Sequence, residues 1–377
     1  MRIGLNFLSF RSYQGTEIFA RHLLSELVGM APDSAYIVFG SAWLPDEMRL
    51  GSLHVSVETV RINPAKTLSM GLYQQIILPL KLMAKGITHF YAPLPSIPVF
   101  FPGKKFITIH DCAYDRFAEY KSTLSRLYIK SMYLAGKYIC DGIITDSSFA
   151  KEELVQLYDI EPERIHVLYP GIPDLPGVDE ALIRETKEAF GIRHEYFLYV
   201  GITRPRKNLP GLLKAFKLFL RSHPATQLVL AGRIDTSFVD IGEEIRTMDL
   251  RDHVVQTGFV SDRQKAALYR GSLGLVFPSY YEGFGIPVIE AQGLGVPVLT
   301  SNTSSLPEVA GEGAVYVDPH DINDIAGGME KLLDSGTRDR LIRDGLENVE
   351  RFSWRRAASE LLDILKEGKE PGSGLHI

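Results

Sequence analysis

The chain is poor in cysteine, with only Cys112 and Cys140 in 377 residues. Two thiols are too few for a disulfide framework, and their spacing is not that of a metal-binding pair. Both are therefore expected to be small, buried or half-buried thiols in a reducing compartment. No uninterrupted apolar run approaches the ~20 residues needed to cross a bilayer. The amino terminus, Met1-Arg2-Ile3-Gly4-Leu5-Asn6-Phe7, enters a strand pattern directly, without an apolar leader and small-residue cleavage site. A cytoplasmic location is expected, with any membrane contact peripheral and at the inner face. After the first strand pattern there is no Gly-X-Gly-X-X-Gly fingerprint, which argues against a dinucleotide oxidoreductase. No Asp-X-Asp pair is present to hold Mg or Mn against a diphosphate, so neither a metal nor any other cofactor is expected.

Excess positive charge is also lacking: the net charge of −5 excludes a general nucleic-acid binder. The charge is uneven, however. Between Arg61 and Lys137 eleven Lys or Arg (Arg61, Lys66, Lys81, Lys85, Lys104, Lys105, Arg116, Lys121, Arg126, Lys130, Lys137) face three acids (Asp111, Asp115, Glu119), a local balance of +8. Two helix-like stretches there combine apolar and basic residues, Met70 to Lys85 and Thr123 to Lys137. Basic amphipathic surfaces suit anionic lipid, so peripheral contact with an anionic membrane is a candidate property.

What the chain has in quantity is apolar residue, 45% of the sequence, more than one ordinary core accommodates at this length and suited to two domains. Short apolar runs alternate with helical patterns from end to end, which predicts parallel sheets covered by helices. The first series is Arg2 to Leu8, Tyr36 to Phe39, Val55 to Arg61, Phe106 to Ile109, Gly142 to Asp146 and Ile165 to Tyr169. The second is Phe197 to Val200, Gln227 to Ala231, Val254 to Thr257, Leu273 to Pro278, Val296 to Thr300 and Ala314 to Val317. Between them, Tyr169-Pro170-Gly171-Ile172-Pro173-Asp174-Leu175-Pro176-Gly177 excludes helix and central strand alike and reads as a linker. Ser353 is placed as an N-cap before a final helix bearing Ala357, Leu361 and Ile364, and the tail from Gly368 is expected to fray. The expected division is 1–172, 173–352, and a closing segment 353–377.

Two segments about seventy-five residues apart carry the chemistry. Gly201-Ile202-Thr203-Arg204-Pro205-Arg206-Lys207-Asn208 puts three cations into a Pro-stiffened, solvent-exposed turn ahead of a helix, as a diphosphate requires. Glu282-Gly283-Phe284-Gly285-Ile286-Pro287-Val288-Ile289-Glu290 spaces two carboxylates eight positions apart around a glycine-rich turn. Gly283 and Gly285 let the backbone approach a ligand at a helix N-terminus. Glu282 is positioned to accept from sugar hydroxyls, and Glu290, two turns further on the same helix, from a ribose diol. A carboxylate among the apolar neighbours of Glu290 is costly unless paired.

Both segments resemble signature motifs of the retaining glycosyltransferases of family 4, with a mannosyltransferase-like cast in Thr203 to Asn208 and around His110. The resemblance implies an α/β GT-B fold, two Rossmann-like domains facing each other across a cleft, with the acceptor bound by the first domain, the nucleotide sugar by the second, and the last helix crossing back. It implies hexose transfer, mannose favoured, from a nucleoside diphosphate sugar to a saccharide or lipid-linked saccharide in cell-surface polysaccharide synthesis, by a front-face route without metal and with GDP-mannose as first choice of donor. It also implies that His110 contacts the donor sugar, oriented by Asp111, and that Gly15 lies in a loop touching the diphosphate. Ile202 stands where an Arg often follows Gly201, leaving Arg204 or Arg206 to take that part. Other readings on the same outline are a GT-B epimerase or phosphorylase, or a two-domain sugar-binding module.

Overall fold

The computed structural model describes residues 1–8, 15–41, 55–60, 67–117, 123–173 and 175–367. Tyr13, Gln14, Arg61, Lys66, Glu119, Lys121, Asp174 and the tail from Gly368 lie outside the described residues. The chain divides into two compact units, Met1–Gly171 with Phe352–Ile377, and Ile172–Arg351.

The first unit holds a parallel sheet of seven strands: β1 (Arg2–Phe7), β2 (Ala35–Ser41), β3 (Val55–Val60), β4 (His89–Ala92), β5 (Lys104–Thr108), β6 (Gly142–Thr145) and β7 (Ile165–Val167), in the order β3-β2-β1-β4-β5-β6-β7. Six of these strands match the apolar runs read from the sequence, and β4 is the exception. It is four residues long and contains a histidine, so it shows no Val/Ile run. It nonetheless sits centrally between β1 and β5, with Phe90, Tyr91 and Ala92 fully buried. The second unit holds β8 (Tyr196–Val200), β9 (Gln227–Ala231), β10 (Val254–Gly258), β11 (Gly274–Phe277), β12 (Val298–Ser301) and β13 (Ala314–Val317), in the order β10-β9-β8-β11-β12-β13. All six were legible as apolar runs: the inner strands are covered on both faces and so apolar at nearly every position, and the part-exposed edge strand β10 still opens on Val254 and Val255. In each sheet the chain winds outward in both directions from a switch point, between β1 and β4 in one and β8 and β11 in the other. Such points leave a crevice beyond the carboxyl ends of the strands.

The final helix, Trp354–Glu367, belongs to the first unit, where Trp354, Ala358, Leu361 and Leu365 join Phe19, Leu23 and Leu27 of the Thr16–Met30 helix in one apolar cluster. Ser353 caps it, its hydroxyl accepting from the Arg356 amide at 3.4 Å. A β-carbon on Gly171 would lie 2.3 Å from the Trp354 nitrogen, so only glycine lets the two crossing chain segments pass.

The stretch from Thr67 to Ala84 is helical throughout, but its middle turn, Tyr73–Ile77, is a π-turn in which the Leu78 amide donates to the Tyr73 carbonyl. Pro79 follows directly. Proline lacks an amide hydrogen and crowds the carbonyl four residues back, and a widened turn relieves both. Both cysteines are free and buried, and burial pushes the Cys140 thiol up to about 12.

Candidate functional site

The site in the second unit is built on the carboxyl ends of β8 and β11, which flank the switch point. After β8 the chain turns at Gly201, whose φ of 152° and whose carbonyl, against which Gly232 packs, both demand small residues: a β-carbon on Gly232 would lie 2.2 Å from the Gly201 oxygen. Pro205–Lys207 then forms a single 3₁₀ turn, ended by Asn208 in the left-handed region (φ 55°). Asn208 is buried and donates through Nδ2 to the carbonyls of Pro278 (3.1 Å) and Pro319 (2.7 Å), tying the turn to two other loops. The Leu209–Phe219 helix begins immediately afterwards.

This turn meets the loop after β11. Arg206 donates through Nη1 to Glu282 Oε2 at 2.6 Å and to the Tyr281 carbonyl at 2.8 Å, and its own carbonyl accepts from the Tyr280 amide at 2.8 Å. Lys207 donates to Glu282 Oε1 at 2.5 Å, with its ammonium 4.7 Å from the centre of the Phe277 ring. Lys207 and Glu282 are both buried, which corrects the expectation of a solvent-exposed basic turn. Burial alone would raise the Glu282 carboxyl, but Arg206 and Lys207 outweigh it and hold the group below its ordinary value. Two cations thus converge on one carboxylate in a largely buried place, the kind of cationic setting an anionic ligand requires.

Arg204 takes a different partner, Asp235 at 3.2 Å, and lies over the Phe238 ring at 5.0 Å. With Thr203, Phe238, Leu209 and Tyr280 it lines a cavity of about 150 Å³ on the other flank of the turn. Of the two arginines left open by Ile202, Arg206 is the one that the structure joins to Glu282.

Glu282 lies in the turn before the Ile286–Gly293 helix, whereas Glu290 lies within it, so the two carboxylates do not share a helix as expected. Gly285, at φ 119°, begins the helix. Phe284 is buried, and Gly283 sits beside it in the turn. The loop after β12 braces this turn from below: Ser305 Oγ serves the carbonyls of Glu282 (2.9 Å) and Phe284 (2.8 Å), while Ser304 Oγ accepts from the Glu282 amide at 3.1 Å. The residues holding Glu290 were not picked out from the sequence. Lys265 and Tyr269, both on the Asp262–Arg270 helix, reach its two carboxylate oxygens at 2.7 and 2.8 Å. Lysine and tyrosine four apart on a helix that buries Ala266, Ala267 and Leu268 are an unremarkable pattern until their partner is known.

In the first unit, His110 follows β5 and has both ring nitrogens engaged, Nε2 on the Pro93 carbonyl at 3.0 Å and Nδ1 on Asp146 Oδ2 at 2.6 Å. Phe19 stands edge-on to the ring at 4.9 Å. The carboxylate that orients His110 is thus Asp146, at the end of β6, which corrects the assignment to Asp111. Asp111 instead accepts from the Ala113 amide at 3.0 Å, opening the short helix Ala113–Arg116. Burial would lower the His110 pKa, but Asp146 and the Pro93 carbonyl favour the charged ring and raise it above its ordinary value. Gly15 (φ 46°) lies at the start of the Thr16–Met30 helix.

The basic stretch also looks different in three dimensions. Lys81 and Lys85 both pair with Glu58, Lys130 with Asp115 (2.5 Å), Lys137 with Asp159 (2.8 Å), and Arg116 with Glu153 (2.8 Å). What stands out on these helices is apolar: Leu80 is 59% exposed, Leu124 68% and Leu127 65%, with Leu72, Ile76 and Leu134 also exposed. Tyr128 donates to Gln74 at 2.6 Å, so the two helices that carry these residues lie side by side. No helix among the described residues is long and apolar enough to cross a membrane.

Residues 13–174 match Glycosyltransferase Family 4, and residues 183–347 match Glycosyl transferases group 1. The chain belongs to glycosyltransferase family 4. Over 231 residues, 59% of this chain and 60% of its relative, it is 30% identical to O-antigen chain mannosyltransferase B of Escherichia coli. It is also 30% identical over 245 residues to the serotype-specific mannosyltransferase WbdA of Escherichia coli, covering 62% of this chain and 30% of that one. The match thus spans less than two thirds of the length of either relative. The fold is GT-B: HepE of Anabaena, solved in complex with UDP and glucose, superposes with a TM-score of 0.77 at 17% identity, over 97% of this chain and 99% of that one.

Proposed function

We propose that this family 4 chain is a retaining glycosyltransferase that moves a hexose, mannose in the first instance, from a nucleoside diphosphate sugar to a saccharide or lipid-linked saccharide acceptor in cell-surface polysaccharide synthesis. The single observation that carries this is the meeting of Arg206, Lys207 and Glu282 at the switch point of the second sheet. In the reaction, the bond from the sugar's anomeric carbon to the β-phosphate oxygen breaks and a bond to the acceptor oxygen forms on the same face. The acceptor proton passes to the departing phosphate oxygen. Charge builds on that oxygen, and Arg206 and Lys207, already desolvated and held, stabilise it at little reorganisation cost. They do there what a divalent cation does in metal-dependent transferases, so we expect neither metal nor other cofactor to be needed. Glu282 serves the sugar hydroxyls and Glu290 the ribose, with Gly201, Gly283, Phe284 and Gly285 shaping the pocket between them. We assign His110, held by Asp146, to the donor sugar, and Gly15 to the loop that touches the diphosphate.

Mannose is favoured because the relatives from Escherichia coli carry that activity in their names. We further propose that the exposed leucines of the first unit seat the protein on the inner face of a membrane, where a lipid-linked acceptor is found. Release of the nucleoside diphosphate from GDP-mannose, UDP-glucose, UDP-galactose and UDP-N-acetylglucosamine by purified protein, with and without EDTA, tests the donor. Turnover of GDP-mannose that is insensitive to EDTA is expected. Strict metal dependence contradicts the role given to the two cations, and preference for a uridine donor overturns the choice of mannose.

A further inference from the structure

The Glu290 carboxylate is almost wholly buried, and both of its oxygens are met from one neighbouring helix. Lys265 Nζ lies 2.7 Å from Oε1 and the Tyr269 hydroxyl donates to Oε2 at 2.8 Å. Lys265 and Tyr269 are four apart on the Asp262–Arg270 helix and therefore on one face of it. That helix is itself fixed at its start by a reciprocal capping box between Ser261 and Gln264. Lys265 also approaches Asp262 at 3.4 Å, and only a small part of its side chain reaches solvent. Burial would lower the Lys265 pKa, but Glu290 and Asp262 reverse this and raise it, so the side chain stays an ammonium. Burial, with Glu290 beside it, keeps the Tyr269 hydroxyl protonated, and it can only donate to the carboxylate.

An ionised carboxylate offers about four acceptor positions. Lys265 and Tyr269 occupy one on each oxygen and leave one on each, the arrangement that accepts two adjacent hydroxyls from a vicinal diol. We propose that Lys265 and Tyr269 are the positioning residues of Glu290, fixing its carboxylate in the one orientation that accepts the donor's ribose 2′- and 3′-hydroxyls. This rests on the reading of Glu290 as the ribose carboxylate. Neither residue touches the nucleotide, and both act through the carboxylate they hold.

The test compares affinities for GDP and for 2′,3′-dideoxy-GDP, by calorimetry, in the wild type and in Lys265→Met, Lys265→Arg, Tyr269→Phe and Glu290→Gln. The wild type is expected to prefer GDP by tenfold or more. Lys265→Met and Tyr269→Phe should reduce that preference to a few-fold or less by weakening GDP while leaving the dideoxy nucleotide unchanged, and Lys265→Arg should restore most of it. Tyr269→Phe removes one oxygen from a packed ring, so it keeps the test available if Lys265→Met fails to fold. Equal weakening of both nucleotides would mean a merely structural role and overturn the proposal. Preference unchanged in Lys265→Met and Tyr269→Phe but lost in Glu290→Gln overturns it while leaving the ribose assignment standing. Preference unchanged in Glu290→Gln removes the ribose assignment itself.

Discussion

Lys207 and Glu282, 75 positions apart in sequence, meet at 2.5 Å, and Arg206 completes the cluster from the neighbouring position. The carboxylate assigned to the sugar is therefore also the counter-charge of the cations assigned to the diphosphate. It sets how those cations are held before a donor arrives.

Without Lys207 the buried Glu282 carboxylate keeps Arg206 but loses one charge-assisted hydrogen bond, which contributes about 1.5–3 kcal/mol. Lys207→Ala is therefore expected to lower stability as well as turnover, where an exposed lysine would do only the second. Denaturant unfolding beside a donor-release assay measures both. Unchanged stability in Lys207→Ala contradicts the burial of this pair, and near-normal turnover in an Arg206→Ala, Lys207→Ala double variant contradicts the diphosphate assignment.

The Glu282 carboxyl is held below its ordinary value of 4.5 by Arg206 and Lys207, against the opposing effect of burial. A depressed carboxyl contributes stability that is fully present above its unfolded value and lost as pH falls through the folded one. The difference in unfolding free energy between wild type and Glu282→Gln should be constant above about pH 5.5 and shrink through pH 4 and below. A difference that grows on acidification contradicts the sign.

For His110 the sign is reversed. Its pKa is raised above 6.5, so its contribution is complete below that value and disappears as pH rises through the higher folded one. NMR titration of the ring should give a midpoint above 6.5 in the wild type and a lower one in Asp146→Asn, where only the Pro93 carbonyl and Asp111 still oppose burial. The same low midpoint in Asp111→Asn but not in Asp146→Asn would return the orienting role to Asp111.

The exposed leucines give a membrane prediction that differs from one based on charge. Because Lys81, Lys85, Lys130 and Lys137 are paired with carboxylates, vesicle binding should depend more on Leu80, Leu124 and Leu127 than on salt. Co-sedimentation with anionic and neutral vesicles at two salt concentrations is the measurement. Binding that survives Leu80→Gln, Leu124→Gln and Leu127→Gln together, but vanishes in salt, reverses the conclusion.

Much of this was legible in the sequence. Among the described residues twelve of thirteen strands announce themselves as short apolar or β-branched runs, the inner ones because both their faces are covered and the edge strand β3 through its valines, and β4 hides because four residues with a histidine at the start form no run. The two motifs were visible as residue types suited to phosphate and hydroxyls. Their mutual neutralisation was not, since no spacing rule reports which cation meets which carboxylate across 75 residues. The same limit concealed Asp146 behind the adjacent Asp111, and Lys265 and Tyr269 among ordinary helix residues. Charge counting along the chain also misled: the acids Glu58 and Asp159 that pair with the basic stretch lie just outside it.

Calorimetric titration of GDP-mannose into the wild type and into the Arg206→Ala, Lys207→Ala double variant, folding being checked by circular dichroism, tests the central claim most directly. Saturable binding to the wild type, weakened by a hundredfold or more in the double variant, is the result predicted, since charge-assisted contacts to phosphate contribute about 1.5–3 kcal/mol each. Equal affinity in the two folded proteins would contradict it.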